Sequence, residues 1–301
     1  MPQRWNQLVI VSLRVVITIF GVFGNTNLIY LVVSRKQLQS KSSYLMAIQC
    51  FCHNIDLIFP LIDPYLVYTN QTITRRVCIL IILPHMFASC CQCVGMLNIV
   101  LDILIIIYFP TYYRSTSTIS YISRMMIVPM VVGATFVVLL LMNMNDEIMT
   151  SCTNPLALGD INFHWLTRIS IIFNTMTLII FIILLSYFHR KGKESEAKEP
   201  KKVMDRLKVS IALFIILWYL SIFAMDFFTT IGLTGDTLAT AIMNVSPMLI
   251  LAYAQNFYVI IWKSMDYRKE FLILWGFRKV EEKKISIWSS GDGHRKASVM
   301  R

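Results

Sequence analysis

A small set of side chains in this 301-residue sequence can hold charge or exchange protons within otherwise apolar stretches. His53 and Asp56 are three residues apart, so the pair shares a face if its segment is helical. An imidazole beside a carboxylate makes a polar hub whose charge follows pH. The blander role for His53 and Asp56 is structural glue between helices, which buried polar pairs in apolar bundles commonly supply. Asn25, Asn98, Asn174 and Asn256 fit either role in the same way. Asp63, Trp218, Tyr219, Asp226 and Tyr253, with His85 and Ser89, fall at depths where a pocket open to one side of a membrane would form. For Trp218 the alternative is ordinary aromatic packing, and for Asp226 a solvated carboxylate at a helix end. No catalytic set is present: the chain has no phosphate-binding glycine loop, GxSxG or HExxH. The reading is of a non-enzyme without cofactor or metal.

The elements that must carry these residues follow from composition. Hydrophobic residues make up 56% and charged ones 15%, and mean hydropathy is +0.62. A soluble domain has about 25% charged residues, so a soluble enzyme, a disordered scaffold and a disulfide-stapled secreted domain are all excluded. Unbroken apolar runs also argue against a membrane barrel, whose strands alternate. Crossing the hydrocarbon takes about 20 helical residues. Seven runs qualify: 8–33, 43–67, 79–108, 123–143, 166–188, 207–232 and 237–262. The second is interrupted by His53, Asp56, Pro60, Asp63 and Pro64, so it faces a bundle interior rather than lipid all round.

The net charge of +11 becomes an orientation signal. One set of loops and the tail carries 23 basic residues and the opposite side 5, which puts the tail inside and the N-terminus outside. These basic residues sit in short loops with no nucleic-acid-binding fold around them. The first span reads as a signal anchor rather than a cleaved leader. Asn70-Gln71-Thr72 is a glycosylation sequon in an outside loop. Of seven cysteines, five lie within spans as small apolar fillers, and Cys90-Cys91-x-Cys93 lacks metal-ligand spacing. Cys78 and Cys152 both fall on the outside, where a bridge would pin the loop between spans four and five across the mouth of the bundle. Unpaired thiols are the alternative. Residues 189–208 read as a polar loop and 264–277 as an amphipathic interfacial helix with Phe271, Leu272, Leu274, Trp275 and Phe277 available to lipid. Residues 278–301 read as a disordered tail after a receptor domain spanning 1–277.

Seven helices, an outside N-terminus and one such bridge resemble a rhodopsin-like G-protein-coupled receptor. Gly24-Asn25, Asp102 twenty-four residues after Cys78, Phe214-x-x-x-Trp218, and Asn256 followed by Ser264 to Phe271 match that family's local patterns. Within it, the nematode serpentine chemoreceptor class Srsx is most similar. Three stretches carry the likeness: Lys36-x-Leu38-x-Ser40-Lys41-Ser42-Ser43-x-Leu45, Phe109-Pro110-x-x-Tyr113-Arg114, and Gln255-Asn256-Phe257-Tyr258-Val259-Ile260-x-Trp262-x-Ser264-x-x-Tyr267-Arg268. The resemblance covers residues from about 15 to 275.

It implies a small ligand from outside, a heterotrimeric G protein inside, the lipid bilayer as solvent, and a plasma-membrane location that includes sensory cilia. His85 stands where aminergic receptors place a ligand-pairing Asp, which disfavours amines bound at that residue. There are departures. Asp102 is followed by Ile103, not arginine; Leu220 and Phe257 stand where prolines are usual; His53 stands where the sodium-site Asp is expected. The expected consequence at Asp102 is a weaker restraint on the resting state, with Arg114, a loop hydroxyl or water as its partner and Ile103→Arg as the restoring change. The alternatives to a signalling receptor are a seven-span transporter or channel, and a receptor paralogue that signals weakly.

Overall fold

The computed structural model describes residues 2–69, 71–149, 152, 157–191, 208–233 and 235–277. Asn70 and the tail 278–301 lie outside the described residues, as does most of the loop 189–208. The side chain of Asp63 is likewise outside the description.

Every long apolar run is a helix. In chain order these are α1 (Pro2–Ser34), α2 (Lys41–Ile58), α3 (Ile62–Thr69), α4 (Arg75–Tyr108), α5 (Pro110–Ser115), α6 (Thr118–Met142), α7 (Asp160–Lys191), α8 (Lys208–Thr230), α9 (Gly235–Ala254), α10 (Asn256–Lys263) and α11 (Met265–Leu274). Six are long and apolar enough to cross a membrane; the pair α9 and α10, bent by 43°, makes a seventh span if counted as one. The fold is a seven-helix membrane bundle. Helices start a few residues before the apolar runs, because caps extend them into polar sequence. Ser40 accepts from the Ser43 N–H, Thr74 from Val77 and Ser117 from Ser120.

Prolines shape the bundle, and three of the carbonyls they free are taken up by side chains. Pro64 has no N–H for the Pro60 carbonyl; Arg14 of α1 donates to it at 3.1 Å. Pro129 cannot serve Met125, whose carbonyl takes the amide of Asn98 at 2.5 Å. Pro247 cannot serve Met243, which takes the Ser246 hydroxyl at 2.8 Å. The second span thus breaks into α2, a 3-10 turn at Phe59–Leu61, and α3. In α8, Ile215–Tyr219 is a π-helical turn although the proline usual after Trp218 is absent.

α4 is the axis of the bundle, buried on nearly all sides, whereas α6 and α7 turn most of their apolar surface outward to lipid. Helix α1 approaches its neighbours closely through two glycines. A Cβ at Gly21 would stand 2.7 Å from Leu57 and 2.8 Å from Ala254, and one at Gly24 would stand 2.9 Å from Phe257. The core divides into an inner cluster around Val100, Ile103, Phe214 and Trp218 and an outer one around Cys78, Ile82, Met86 and Leu140.

The outer cluster is closed by a short ladder. Strand β1 (Ile73–Thr74) pairs antiparallel with β2 (Ile148–Met149), and Cys78 is bonded to Cys152. Arg75 and Arg76 of the outer side meet Glu147 and Asp146 at 2.9 and 3.2 Å. The interfacial helix α11 is docked more tightly than an amphipathic pattern suggests. Phe271 and Leu274 pack on the inner core rather than facing lipid, while Phe277 is exposed. Buried Glu270 pairs with Arg35 and Gln37, and Trp275 donates to Asn27 at 3.0 Å.

The bridge closes a loop of 74 residues. In the chain-entropy account a loop of this length is worth about 4 kcal/mol. Cys152→Ser should therefore lower the thermal unfolding midpoint and surface expression; unchanged values of both would show that the β1–β2 ladder holds the loop without it.

Candidate functional site

The polar side chains inside the bundle form three groups stacked from the outer end inward. The outermost centres on Asp56, which is fully buried. His85 Nδ1 donates to its Oδ1 at 2.9 Å and Ser89 Oγ to the same atom at 2.8 Å. Helix α4 brings these two donors one turn apart, and α2 supplies the acceptor. His85 and Ser89 share a face of α4, with Asp56 as their common partner. His53 and Asp56 take different partners, so the hub expected between them is instead two separate groups.

Below this stands Tyr253, whose hydroxyl accepts from Trp218 Nε1 at 3.2 Å. Trp218 and Tyr253 are both buried. Phe214 stacks on Trp218, with centroids 5.5 Å apart and planes 15° apart, and His53 packs on Tyr253 at 5.3 Å. Tyr219, in the same π turn, packs at the edge of the core. The second polar group begins at His53. Asn256 Nδ2 donates to His53 Nδ1 at 3.0 Å, and its Oδ1 accepts from Ser210 Oγ at 2.6 Å and Gln255 Nε2 at 3.1 Å. Asn25 secures the same region by donating to the Tyr253 carbonyl at 3.1 Å. Spans one, two, six and seven therefore meet through side chains at the bend between α9 and α10.

Asp226 is not simply solvated. It accepts from Thr167 at 3.1 Å and stands 3.4 Å from His164, which ties α8 to α7. It belongs to the outer rim, apart from the Asp56 group.

The third group lies at the inner end of α4. Asp102 is buried, with one oxygen accepting from Tyr121 at 2.7 Å and the other from Ser42. Of the expected partners for this carboxylate, hydroxyls are the ones found, and they come from the bodies of α2 and α6. Beside them Lys41 donates to the carbonyls of Tyr113 and, at 2.7 Å, Thr116, and its ammonium lies 4.5 Å from the Tyr113 ring centroid. Burial, and next the charge of Asp102, push the Tyr113 phenol up to about 12. Ser43 accepts from Tyr267 of α11 at 2.9 Å. The first turn of α2, Lys41 to Ser43, thus touches α4, α5, α6 and α11 at once.

Ile103 is wholly buried in the inner core. An arginine there would place a guanidinium among apolar side chains, so Ile103→Arg is a destabilising change and not the restoration of a missing contact.

Sequence reading missed Ser42, Tyr121, Lys41, Ser210, Gln49, Gln92 and Gln255. The glutamines and Ser210 stand within apolar runs, the signal that flagged the asparagines. Ser42 and Lys41 lie at a run's polar end, where nothing local separates a loop residue from a structural donor. Among the described residues, no three His, Cys, Asp or Glu side chains gather in a way that could hold a metal ion.

Lys41→Met should leave two inward carbonyls without a donor. The expected loss is about 1–3 kcal/mol, read as a lower unfolding midpoint of the solubilised protein. A midpoint equal to wild type would mean that water replaces the ammonium.

No curated protein matches the chain by sequence. The sequence pattern of the serpentine type 7TM GPCR chemoreceptor Srsx family matches residues 18–275. That span takes in all seven membrane helices except the outer end of the first, and it includes the three polar groups built on them. The chain belongs to the serpentine 7TM chemoreceptor family Srsx.

Proposed function

We propose that this chain is a chemosensory receptor of the plasma membrane, sensory cilia included, with its N-terminus outside and its tail inside. A small ligand enters from outside, binds among spans two, three, six and seven beneath the Cys78–Cys152 loop, and favours a state in which the inner half of α8 is displaced. A heterotrimeric G protein reads that opening. The pocket residues are His85, Ser89, Asp63, Trp218, Tyr219, Asp226 and Tyr253, with Asp226 acting at the rim. Asn25, His53, Asp56, Asp102 and Asn256 carry the change inward.

The observation that supports this reading is that the Tyr253–Trp218 hydrogen bond reaches the π turn of α8, with Asp56 and Ser89 bonded on one side of it and Ser210 of the same helix bound to Asn256 on the other. A ligand shifts such an equilibrium only by binding one state more tightly. A group that rearranges Tyr253 or Trp218 changes the surroundings of α8 directly. Irregular π turns mark sites where a helix can change register at low cost.

The test is nucleotide exchange on a G protein by the reconstituted full chain, screened against a panel of small organic compounds. Exchange above the basal rate supports the receptor. Ion current or uptake without G protein would replace it with the transporter reading.

In this reading Ser42 and Tyr121 restrain Asp102 in the resting state. Tyr121→Phe removes one hydroxyl from a buried carboxylate, a loss of about 1–3 kcal/mol if the active state lacks the bond. Basal exchange should then rise several-fold. Basal exchange unchanged in both Tyr121→Phe and Ser42→Ala would sink the restraint.

A further inference from the structure

Among the described side chains within the spans, two carboxylates are fully buried, and they differ in one respect. At Asp102 each oxygen accepts a hydroxyl. At Asp56 both donors, His85 and Ser89, go to Oδ1, and Oδ2 has no hydrogen-bond partner although it is sealed from solvent. A carboxylate oxygen left without a donor in a low-dielectric interior is costly. Holding Oδ1 from two sides fixes the plane of the carboxylate and so fixes where Oδ2 points. His85 and Ser89 each bring their donor to Oδ1, and neither reaches Oδ2.

The surroundings suit one kind of occupant. Among the described residues, neither lysine nor arginine pairs with Asp56, whose partners are a histidine and a serine. Towards the inside the site is floored by aromatic rings, with Tyr253 between Trp218 and His53. Ring faces attract cations, most strongly where water is excluded. Towards the outside lies the apolar cluster of Ile82 and Met86 beneath the disulfide loop. A water molecule could satisfy the hydrogen bond, but the ring faces below favour a cationic donor over a neutral one.

We propose that Asp56 anchors the positively charged group of the receptor's ligand, a small organic ammonium ion that donates an N–H to Oδ2. The inference rests on the ligand-pocket reading above and assigns its chemistry. It also exchanges two roles: His85 presents the carboxylate, and Asp56, expected only as part of a polar network, makes the contact. Amines disfavoured at His85 itself are accommodated one helix away.

The test uses the purified full chain in lipid nanodiscs and a set of arylalkyl primary ammonium ions, each paired with its neutral alcohol isostere. A charge-assisted hydrogen bond in a dry site should make at least one ammonium bind about 10- to 100-fold more tightly than its alcohol. The preference should vanish in Asp56→Asn and persist in His85→Gln, which keeps a donor and the carboxylate. Equal binding of ammonium and alcohol in the wild type, binding of neither, or an ammonium preference retained by Asp56→Asn would each overturn the proposal. The wild-type comparison stands even where Asp56→Asn does not fold. Ammonium binding without nucleotide exchange would keep Asp56 as the anchor and refute the signalling reading. Exchange driven by the neutral alcohols alone would do the reverse.

Discussion

A backbone carbonyl inside a bilayer has no water to accept from, so every one that a helix fails to satisfy must find a donor within the protein. That constraint decides where this bundle spends its polar side chains. Three prolines free the carbonyls of Pro60, Met125 and Met243, and the donors are Arg14, Asn98 and Ser246. The bend between α9 and α10 weakens the last turn of α9, and Asn25 donates to Tyr253 there. Arg14 and Asn98 in addition join different helices, α1 to the broken second span and α4 to α6. An irregularity in one helix thus becomes a specific contact with another, which apolar packing alone would leave open to sliding.

The same logic separates polar residues that serve the backbone from those that serve one another. Asn98 and Arg14 answer a fixed backbone need and have little freedom to change partner. His53, Asn256, Ser210 and Gln255 answer one another, and side chains that satisfy one another can exchange partners when helices shift. These exchangeable contacts lie between the Asp56 group and the inner core, beside the π turn of α8. Ser221 donates to the Leu217 carbonyl within that irregular stretch, a hydroxyl serving locally where the regular ladder is disturbed. Beside the π turn, bonds between side chains (Asn256 with His53, Ser210 and Gln255) run alongside side-chain-to-backbone bonds such as Gln255 to the Ser210 carbonyl.

The sequence makes the fold readable because lipid imposes so few solutions. Unbroken apolar length gives the spans, and the polar residues left within them mark the interior. What local pattern could not supply was pairing. His53 and Asp56 are one turn apart, yet α10 and α4 reach them from opposite sides and claim one each. Asp226 reads as a helix-end carboxylate until α7 brings Thr167 and His164 to it. Ser42 and Tyr121 lie at opposite ends of a 79-residue separation, and only the packing of α2 and α6 around α4 brings both to Asp102. The apolar face of α11 reads as a lipid face because the pattern cannot tell lipid from protein; Phe271 and Leu274 meet the core.

The inner end of α2 explains why the missing arginine does not leave Asp102 loose. Two hydroxyls satisfy its oxygens, and the ammonium of Lys41, spent on carbonyls of the neighbouring turn, adds a positive charge nearby without forming a direct ion pair. An arginine held by an aspartate can be released as a unit and used elsewhere. Hydroxyls and a lysine built into the first turn of α2 cannot travel with α4. Asp102 is therefore held by α2 and α6, and breaking both bonds requires α4 to move relative to both. Since α4 carries His85 and Ser89 as well as Asp102, and α2 carries Asp56 as well as Ser42, the Asp56 group and the hold on Asp102 are joined through the same pair of helices.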